Sequence, residues 1–248
     1  MRSRVLIARD AERAGELVRL LEAEGLEAIA EPVTRTVFLT PDDVPALEAF
    51  DWLIFTSANG VRGFGNVFKA NVLPPGLRIA VVGPGTAEES SKCLRNPDYV
   101  ARQNDAGSLA RELLEEDPEL PRRAVLWPCA AKTSPDLDAA LRNVGADVIA
   151  WPVYATESIP NLELSEQLVK LWPSGVALFA APSAVVAFAQ AWPAPWNFPC
   201  VAIGQVTAEA LTKEGAKSVR VSNSPRAVDL RDAVLETLHL RENNEFKP

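Results

Sequence analysis

An internal duplication limits what this chain can fold into more than any other feature. Val5–Val33 aligns with Val125–Val153 at a constant shift of 120 residues, pairing Leu17 with Leu137, Leu21 with Leu141, Gly25 with Gly145, Ile29 with Ile149 and Pro32 with Pro152. Leu53–Val61 with Phe64 returns as Ala177–Val185 with Phe188 at a shift of 124. Val82–Ala87 (Val-Gly-Pro-Gly-Thr-Ala) returns as Ile203–Ala208 (Ile-Gly-Gln-Val-Thr-Ala) at a shift of 121. The blocks therefore run A, B, A′, B′. Two similar lobes are expected, with a cleft between them of the kind in which ligands gather.

Short runs of β-formers alternate with segments of helical periodicity. The runs Arg4–Ala8, Leu26–Ala30, Trp52–Phe55, Arg78–Val82, Tyr99–Ala101, Arg122–Trp127, Val148–Trp151, Gly175–Phe179, Cys200–Ile203 and Val219–Val221 read as strands. Helices are expected after Asp10, from Pro41 to Phe50, after Asn59, from Gly83 through Leu94, over Leu109–Glu116 with Ser108 as cap, and over Pro135–Val144. Further helices follow over Leu162–Trp172, Pro182–Ala191, Gln205–Lys213 and Ala227–Leu238, leaving Arg241–Pro248 as a frayed tail. Such alternation predicts an α/β fold of parallel sheets with helices on both faces.

The repeats permit two partitions. One is tandem, A with B and A′ with B′. The other nests B and A′ inside A and B′, so that the chain passes between lobes near Pro32–Val37 and Pro152–Tyr154. Both segments carry Pro-Val, and a residue before proline is held extended, so the two could pair as a two-stranded connector.

Composition excludes several function classes. The 248 residues carry a net charge of −8 without a basic stripe, which argues against a nucleic-acid partner. It also means that an anionic ligand must be held by local donors rather than by long-range attraction. No apolar run approaches the roughly 20 residues needed to span a bilayer. The N-terminal apolar run is too short for a signal peptide and ends at Arg9-Asp10, so the cytoplasm is expected. The three cysteines, Cys93, Cys129 and Cys200, are far apart, odd in number and lack metal-ligand spacing. The single histidine, His239, sits in the C-terminal tail, which nearly excludes histidine triads and multi-histidine metal sites.

The stretch Asp51–Phe64 carries the most chemistry. A buried-type strand, Trp52–Phe55, runs into Thr56, Ser57 and Asn59, and Val61, Phe64, Val67 and Phe68 then fall at helical spacing. Such a turn presents side-chain oxygens and free backbone N–H groups to an anion. The plainer alternative is an ordinary helix cap, for which Ser and Asn are preferred.

Taken together, Phe55–Val61 (Phe-Thr-Ser-Ala-Asn-Gly-Val), the paired Gly-x-x-Thr-Ala turns at Gly83 and Gly204, Val153-Tyr154 and the Phe-x-x-Pro-Ser segment Phe179–Ser183 resemble the uroporphyrinogen-III synthase family. The resemblance covers nearly the whole chain. It implies two flavodoxin-like α/β lobes joined by a two-stranded connector, in the nested partition: residues 1–34 with 155–248, and 35–154 inserted, with connectors near 32–37 and 151–155. It implies a cyclisation of the linear tetrapyrrole hydroxymethylbilane, with loss of water and inversion of the last ring. No metal or organic cofactor is implied. The implied protein is a monomer, in transient contact with hydroxymethylbilane synthase.

That substrate bears eight carboxylates, so short-range donors are needed. The turns Thr56–Asn59, Gly83–Thr86, Pro182–Ser183 and Gly204–Thr207 would supply backbone N–H groups and hydroxyls, with Gly83 and Gly204 letting the backbone approach closely. Thr56, Ser57, Asn59, Gly83, Thr86, Ser183, Gly204 and Thr207 are the substrate-binding candidates, joined by Arg9 just after the first strand. Arg35, Arg62, Arg102 and Lys132 are weaker cationic candidates. The family reading makes Tyr154 the general acid. Ala180-Ala181 stands where hydroxyl residues are usual, which weakens side-chain donation in the second copy.

Three other readings compete. Gly83-Pro-Gly85 hints at a dinucleotide loop, but Glu88 takes the third glycine position and Pro84 removes an amide donor. A two-lobed binding module without catalysis is the second. A synthase-like regulator that has lost activity is the third.

Overall fold

Each apolar run flanked by turn residues becomes a strand in the computed structural model, which describes residues 3–69, 73–103, 106–159 and 175–242. In chain order the elements are β1 (Arg4–Ala8), α1 (Ala11–Ala23), β2 (Glu27–Ala30), β3 (Thr34–Phe38), β4 (Trp52–Phe55), α2 (Ala58–Val67), β5 (Arg78–Val82), α3 (Pro84–Cys93), β6 (Tyr99–Ala101) and α4 (Ala106–Glu116). They continue with β7 (Ala124–Ala130), α5 (Asp136–Asn143), β8 (Asp147–Ser158), β9 (Gly175–Phe179), α6 (Pro182–Ala191), β10 (Cys200–Ala202), α7 (Gln205–Lys213), β11 (Val219–Val221) and α8 (Ala227–Glu242). The chain divides into two units, Met1–Arg35 with Glu157–Pro248, and Thr36–Thr156.

The first unit holds a parallel sheet in the order β11-β10-β9-β1-β2. Its strands are apolar on both faces because helices cover both. Val5, Ile7, Val176 and Leu178 pack with Leu17 and Leu21 of α1 and Leu230 and Val234 of α8. Leu6, Ala177, Phe179 and Cys200 pack with Val185 and Phe188 of α6 and Leu211 of α7. Burying each such large apolar side chain contributes about 1.5–3 kcal/mol.

The second unit has a sheet in the order β3-β8-β7-β4-β5-β6. Leaving β3 aside, its strands pair in parallel with the same topology as the first sheet. The registers repeat as well. Arg4 faces Glu27 as Ala124 faces Asp147, Val5 faces Val176 as Val125 faces Trp52, and Cys200 faces Ala177 as Ile79 faces Leu53. Gly25 and Gly145 both end their helices at positive φ, 80° and 92°, which a Cβ would resist. The added strand, β3, lies along β8. Ile159 donates to the Val33 carbonyl and Leu39 to that of Val153, so partner numbers fall as chain numbers rise and the two run antiparallel.

At the amino ends of β4, β5 and β7 a charge network closes the second sheet. Asp117, 7% exposed, accepts from the Trp52 indole at 3.1 Å, from Arg78 at 2.6 Å and from Arg123 at 3.2 Å. Arg78 also lies 3.9 Å over the Trp52 ring. Burial pushes the Asp117 carboxyl up, but the indole N–H and the arginines outweigh it and hold it below the usual carboxylate range.

Several local expectations change. The helix from Pro41 is absent. A single 3-10 turn forms at Leu47–Ala49, because Pro45 would sit inside the helix without its N–H and against the preceding turn. Helix α4 begins at Ala106, so Ser108 lies inside it, its hydroxyl donating to Gln103 at 3.0 Å. β7 runs through Pro128 rather than stopping at Trp127. Its pairing with β4 ends at Leu126, so Pro128 has only β8 beside it and its missing donor goes unneeded. β8 likewise continues through Pro152 to Ser158. His239 belongs to α8, not to a tail, and α8 extends to Glu242. The expected helix Leu162–Trp172 and residues 243–248 lie outside the described residues.

Candidate active site

The site begins where β4, buried along its whole length, releases the chain at its carboxyl end. Thr56 is exposed, and Ser57 follows with extended backbone (φ −156°, ψ 152°) as the N-cap of α2. The Ser57 hydroxyl accepts the Gly60 N–H at 3.1 Å, satisfying one of the open donors of the first turn. The same oxygen lies 3.1 Å from the hydroxyl of Tyr154, and either atom can be the donor. Asn59 donates its amide to Thr36 at 3.3 Å, tying the turn to β3, and the Trp127 indole donates to Thr56 at 3.4 Å.

Two features bring Tyr154 to this turn. The first is a bulge. Cys129 faces Pro152 but Ala130 faces Tyr154, so the register slips by one residue. A bulge re-aims the side chains after it. Val153 stays fully buried while Tyr154 is half-buried. The second is the closeness of α2 to β7 and β8. A Cβ on Gly60 would lie 2.8 Å from the Pro128 carbonyl oxygen, and one on Gly63 would lie 2.8 Å from the Val153 carbonyl. Only glycine lets the helix lie this near.

The sequence-chosen residues divide between the units. Thr56, Ser57, Asn59 and Tyr154 converge in the Thr36–Thr156 unit, joined by Thr36 and Trp127, which sequence reasoning missed. Thr36 carried no local signal. Gly60 and Gly63, three apart on one helix face, were the available sign of a close approach. In the same unit Gly83 caps α3 at φ 78°, a conformation that favours glycine.

Thr86 differs from expectation: it is 7% exposed, so little of its side chain reaches solvent, whereas Pro84 and Gly85 of the same turn are exposed. Thr207, in the other unit, is 3% exposed and fails as a surface hydroxyl for the same reason. Gly204 is extended (φ −172°) and a Cβ there would meet nothing within 4 Å, so the fold itself does not require glycine. Ser183 is exposed on the first turn of α6, after an N-cap, Ala181, that makes no side-chain bond.

Arg9 is half-buried and lines a pocket of about 100 Å³ with Arg13, Pro225 and Leu230. Burial and then the like charge of Arg13 lower its proton affinity, against the opposing attraction of Asp10. Arg62 and Arg35 are already engaged, Arg62 with Glu89 at 2.8 Å and Arg35 with Glu157 at 3.3 Å. Among the described residues no cluster of three or more His, Cys, Asp or Glu is arranged to hold a metal.

Two parallel α/β units of one topology, with hydroxyl- and glycine-bearing turns at the carboxyl ends of their strands, define a duplicated ligand-binding α/β protein. Comparison with known proteins narrows this class. The family model described as uroporphyrinogen-III synthase HemD matches residues 15–231. A putative uroporphyrinogen-III synthase of Methanocaldococcus jannaschii is 31% identical over 86% of this chain and 90% of its own. The chloroplastic uroporphyrinogen-III synthase of Oryza sativa is 26% identical over 98% and 83%. In fold, the chain is similar to the uroporphyrinogen-III synthetase of Helicobacter pylori, with a TM-score of 0.68 at 18% identity over 95% of this chain and 99% of that one. The chain belongs to the uroporphyrinogen-III synthase family, cyclising lyases of tetrapyrrole biosynthesis. The dinucleotide-enzyme, binding-module and inactive-regulator readings find no support in these matches. No helix among the described residues is long and apolar enough to cross a membrane.

Proposed function

We propose that this chain converts hydroxymethylbilane to uroporphyrinogen III, with Tyr154 as the general acid. The observation that carries the proposal is the half-buried Tyr154 hydroxyl held at the mouth of the α2 turn, 3.1 Å from Ser57. A neutral phenol holds its proton at neutral pH and can deliver it to a leaving hydroxyl, for about 10²–10⁴-fold in rate. The proton passes from Tyr154 to the departing hydroxyl, the carbon–oxygen bond breaks with its electron pair on oxygen, and water leaves as the pyrrole nitrogen supplies electrons. The substituted carbon of the last ring attacks the methylene left behind, giving a spiro centre. Its original bond to the bridging carbon then breaks, and that carbon rebonds to the ring's other, hydrogen-bearing α-carbon. This closes the macrocycle with the ring inverted and sets that α-carbon's proton free. The proton released as the pyrroles regain aromaticity returns to the phenolate.

Binding is assigned to the turns. Thr56, Asn59, the backbone at Ser57, Gly83 and Gly204, and Ser183 present donors to substrate carboxylates. Arg9, just after the first strand, is the cation assigned to one of them. Thr86 and Thr207 are buried and are assigned no carboxylate. The proposal extends to a cytoplasmic monomer in transient contact with hydroxymethylbilane synthase.

The test couples the protein to the preceding enzyme and resolves product isomers after oxidation. Tyr154→Phe is expected to lower turnover about 10²-fold with the thermal midpoint unchanged. Unchanged turnover would remove the acid role. Production of only the uninverted macrocycle by the parent protein would overturn the function.

A further inference from the structure

We propose that Ser57 is a positioning residue for Tyr154, donating its hydroxyl proton to the phenol oxygen so that the phenol's own proton is free for substrate. The inference rests on the acid role of Tyr154.

The hydrogen-bond inventory restricts the arrangement. A serine hydroxyl has one proton and two acceptor positions. One acceptor position of Ser57 is filled by the Gly60 N–H at 3.1 Å. Among the described residues Ser57 is the side chain within hydrogen-bond reach of the Tyr154 hydroxyl. The neighbouring donors are engaged elsewhere, Asn59 on Thr36 and Trp127 on Thr56. Two arrangements follow. In one, Tyr154 donates to Ser57, and its proton is held in a bond that must break before transfer. In the other, Ser57 donates to Tyr154, and the phenol proton points away.

Proton transfer selects the second. As the proton leaves, the tyrosine oxygen gains charge, and a hydrogen bond to a charged acceptor is roughly twice as strong as a neutral one. The Ser57 donor bond therefore strengthens in the transition state, which is the condition for an interaction to speed the step. The Gly60 N–H polarises the Ser57 hydroxyl from behind, by about 10–30% per bond. It also links the phenol to the positive end of α2.

The duplicated copy acts as an internal control. At the position of Ser57 it has Ala181, and at that of Tyr154 it has Thr34. Ala181 has nearly the same backbone (φ −165°, ψ 152°) and begins α6 with no side-chain cap. This fold therefore starts that helix without the hydroxyl. The serine occurs in the copy that has the tyrosine, and neither occurs in the other.

The test is a kinetic cycle. Ser57→Ala is expected to lower kcat about 10–100-fold, the size of losing a hydrogen bond to a charged group, with KM within about twofold. Ser57→Thr should recover at least about half of kcat, since Thr keeps both the cap and the donor. Ser57→Asp caps the helix but cannot donate, so it should melt like the parent and lose kcat at least as far as Ser57→Ala. On a Tyr154→Phe background, Ser57→Ala should cost nothing further. Parent-like kcat in Ser57→Asp, or an equal loss from Ser57→Ala with and without Tyr154, overturns the proposal. Parent-like kcat in Tyr154→Phe overturns instead the acid reading beneath it, so the two failures are distinguishable.

Discussion

Replacing Gly60 with alanine tests whether close packing of α2 places the reactive pair. The new Cβ would lie 2.8 Å from the Pro128 carbonyl, against at least 3.4 Å for ordinary contact, a deficit of 3.4 − 2.8 = 0.6 Å. The obstacle is backbone of β7, so the first turn of α2 must move instead. Ser57 rides on that turn, and its 3.1 Å separation from Tyr154 would open beyond about 3.5 Å, where a hydrogen bond no longer forms. Alanine favours a helix by about 1 kcal/mol over glycine, while overpacking costs about 1–3 kcal/mol. The net loss is roughly 0–2 kcal/mol, or up to about 8 °C in melting temperature for a chain of this size. Activity should fall further than stability. A misplacement of about 1 Å can cost about 10²-fold, so a tenfold loss of kcat is the expected order. The measurements are a thermal melt and the coupled assay with isomers resolved. Gly15→Ala in α1, where a Cβ meets nothing within 4 Å, is the control and should gain stability with turnover unchanged. A Gly60→Ala protein with full turnover would refute the packing argument.

Other consequences are as direct. Gly204→Ala should fold as well as the parent, because nothing lies within 4 Å of the added Cβ, yet raise KM severalfold if substrate approaches that backbone; an unchanged KM would remove Gly204 from the binding turns. The Asp117 carboxyl sits below its unfolded value, so its contribution is present at neutral pH and is lost as pH falls through the folded value. Asp117→Asn should therefore destabilise by about 1–3 kcal/mol at pH 7 and by less near pH 3, read from urea midpoints at both. Burial raises the thiols of Cys129 to about 11 and Cys200 to about 12, while Cys93 is exposed. Maleimide at neutral pH should label Cys93 alone, the other two reacting only after unfolding; labelling of all three in the folded protein would contradict their burial.

Much of this architecture is legible in the sequence because it depends on local chemistry repeated twice. Periodicity marks β4 and α2, and the positive-φ glycines after α1 and α5 mark where those helices end. The repeats at shifts of 120, 121 and 124 carry the registers, since equivalent side chains must face equivalent cores. Ser57 and Asn59 are visible as cap residues on one short turn. Some of the misreadings come from proline, which stops a helix at Pro45 yet is tolerated in β7 once that strand has lost its second neighbour.

By itself, then, the chain's pattern determines that parallel α/β sheets form, that they form twice, and that one turn is rich in hydroxyls. Those properties follow from neighbours in sequence and from which faces must leave water. Which blocks share a sheet was decided only in three dimensions, where β1 pairs with β9 and β7 with β4. So were the approach of Tyr154 to Ser57 across 97 residues of chain and the withdrawal of Thr86 and Thr207 into the core. The approach of Tyr154 depends on a one-residue slip in β8 and on two glycines that let a helix lie close. The slip has no sequence signature, because it is a relation between segments rather than a property of either one; the glycine spacing is visible in sequence, but what it approaches is not.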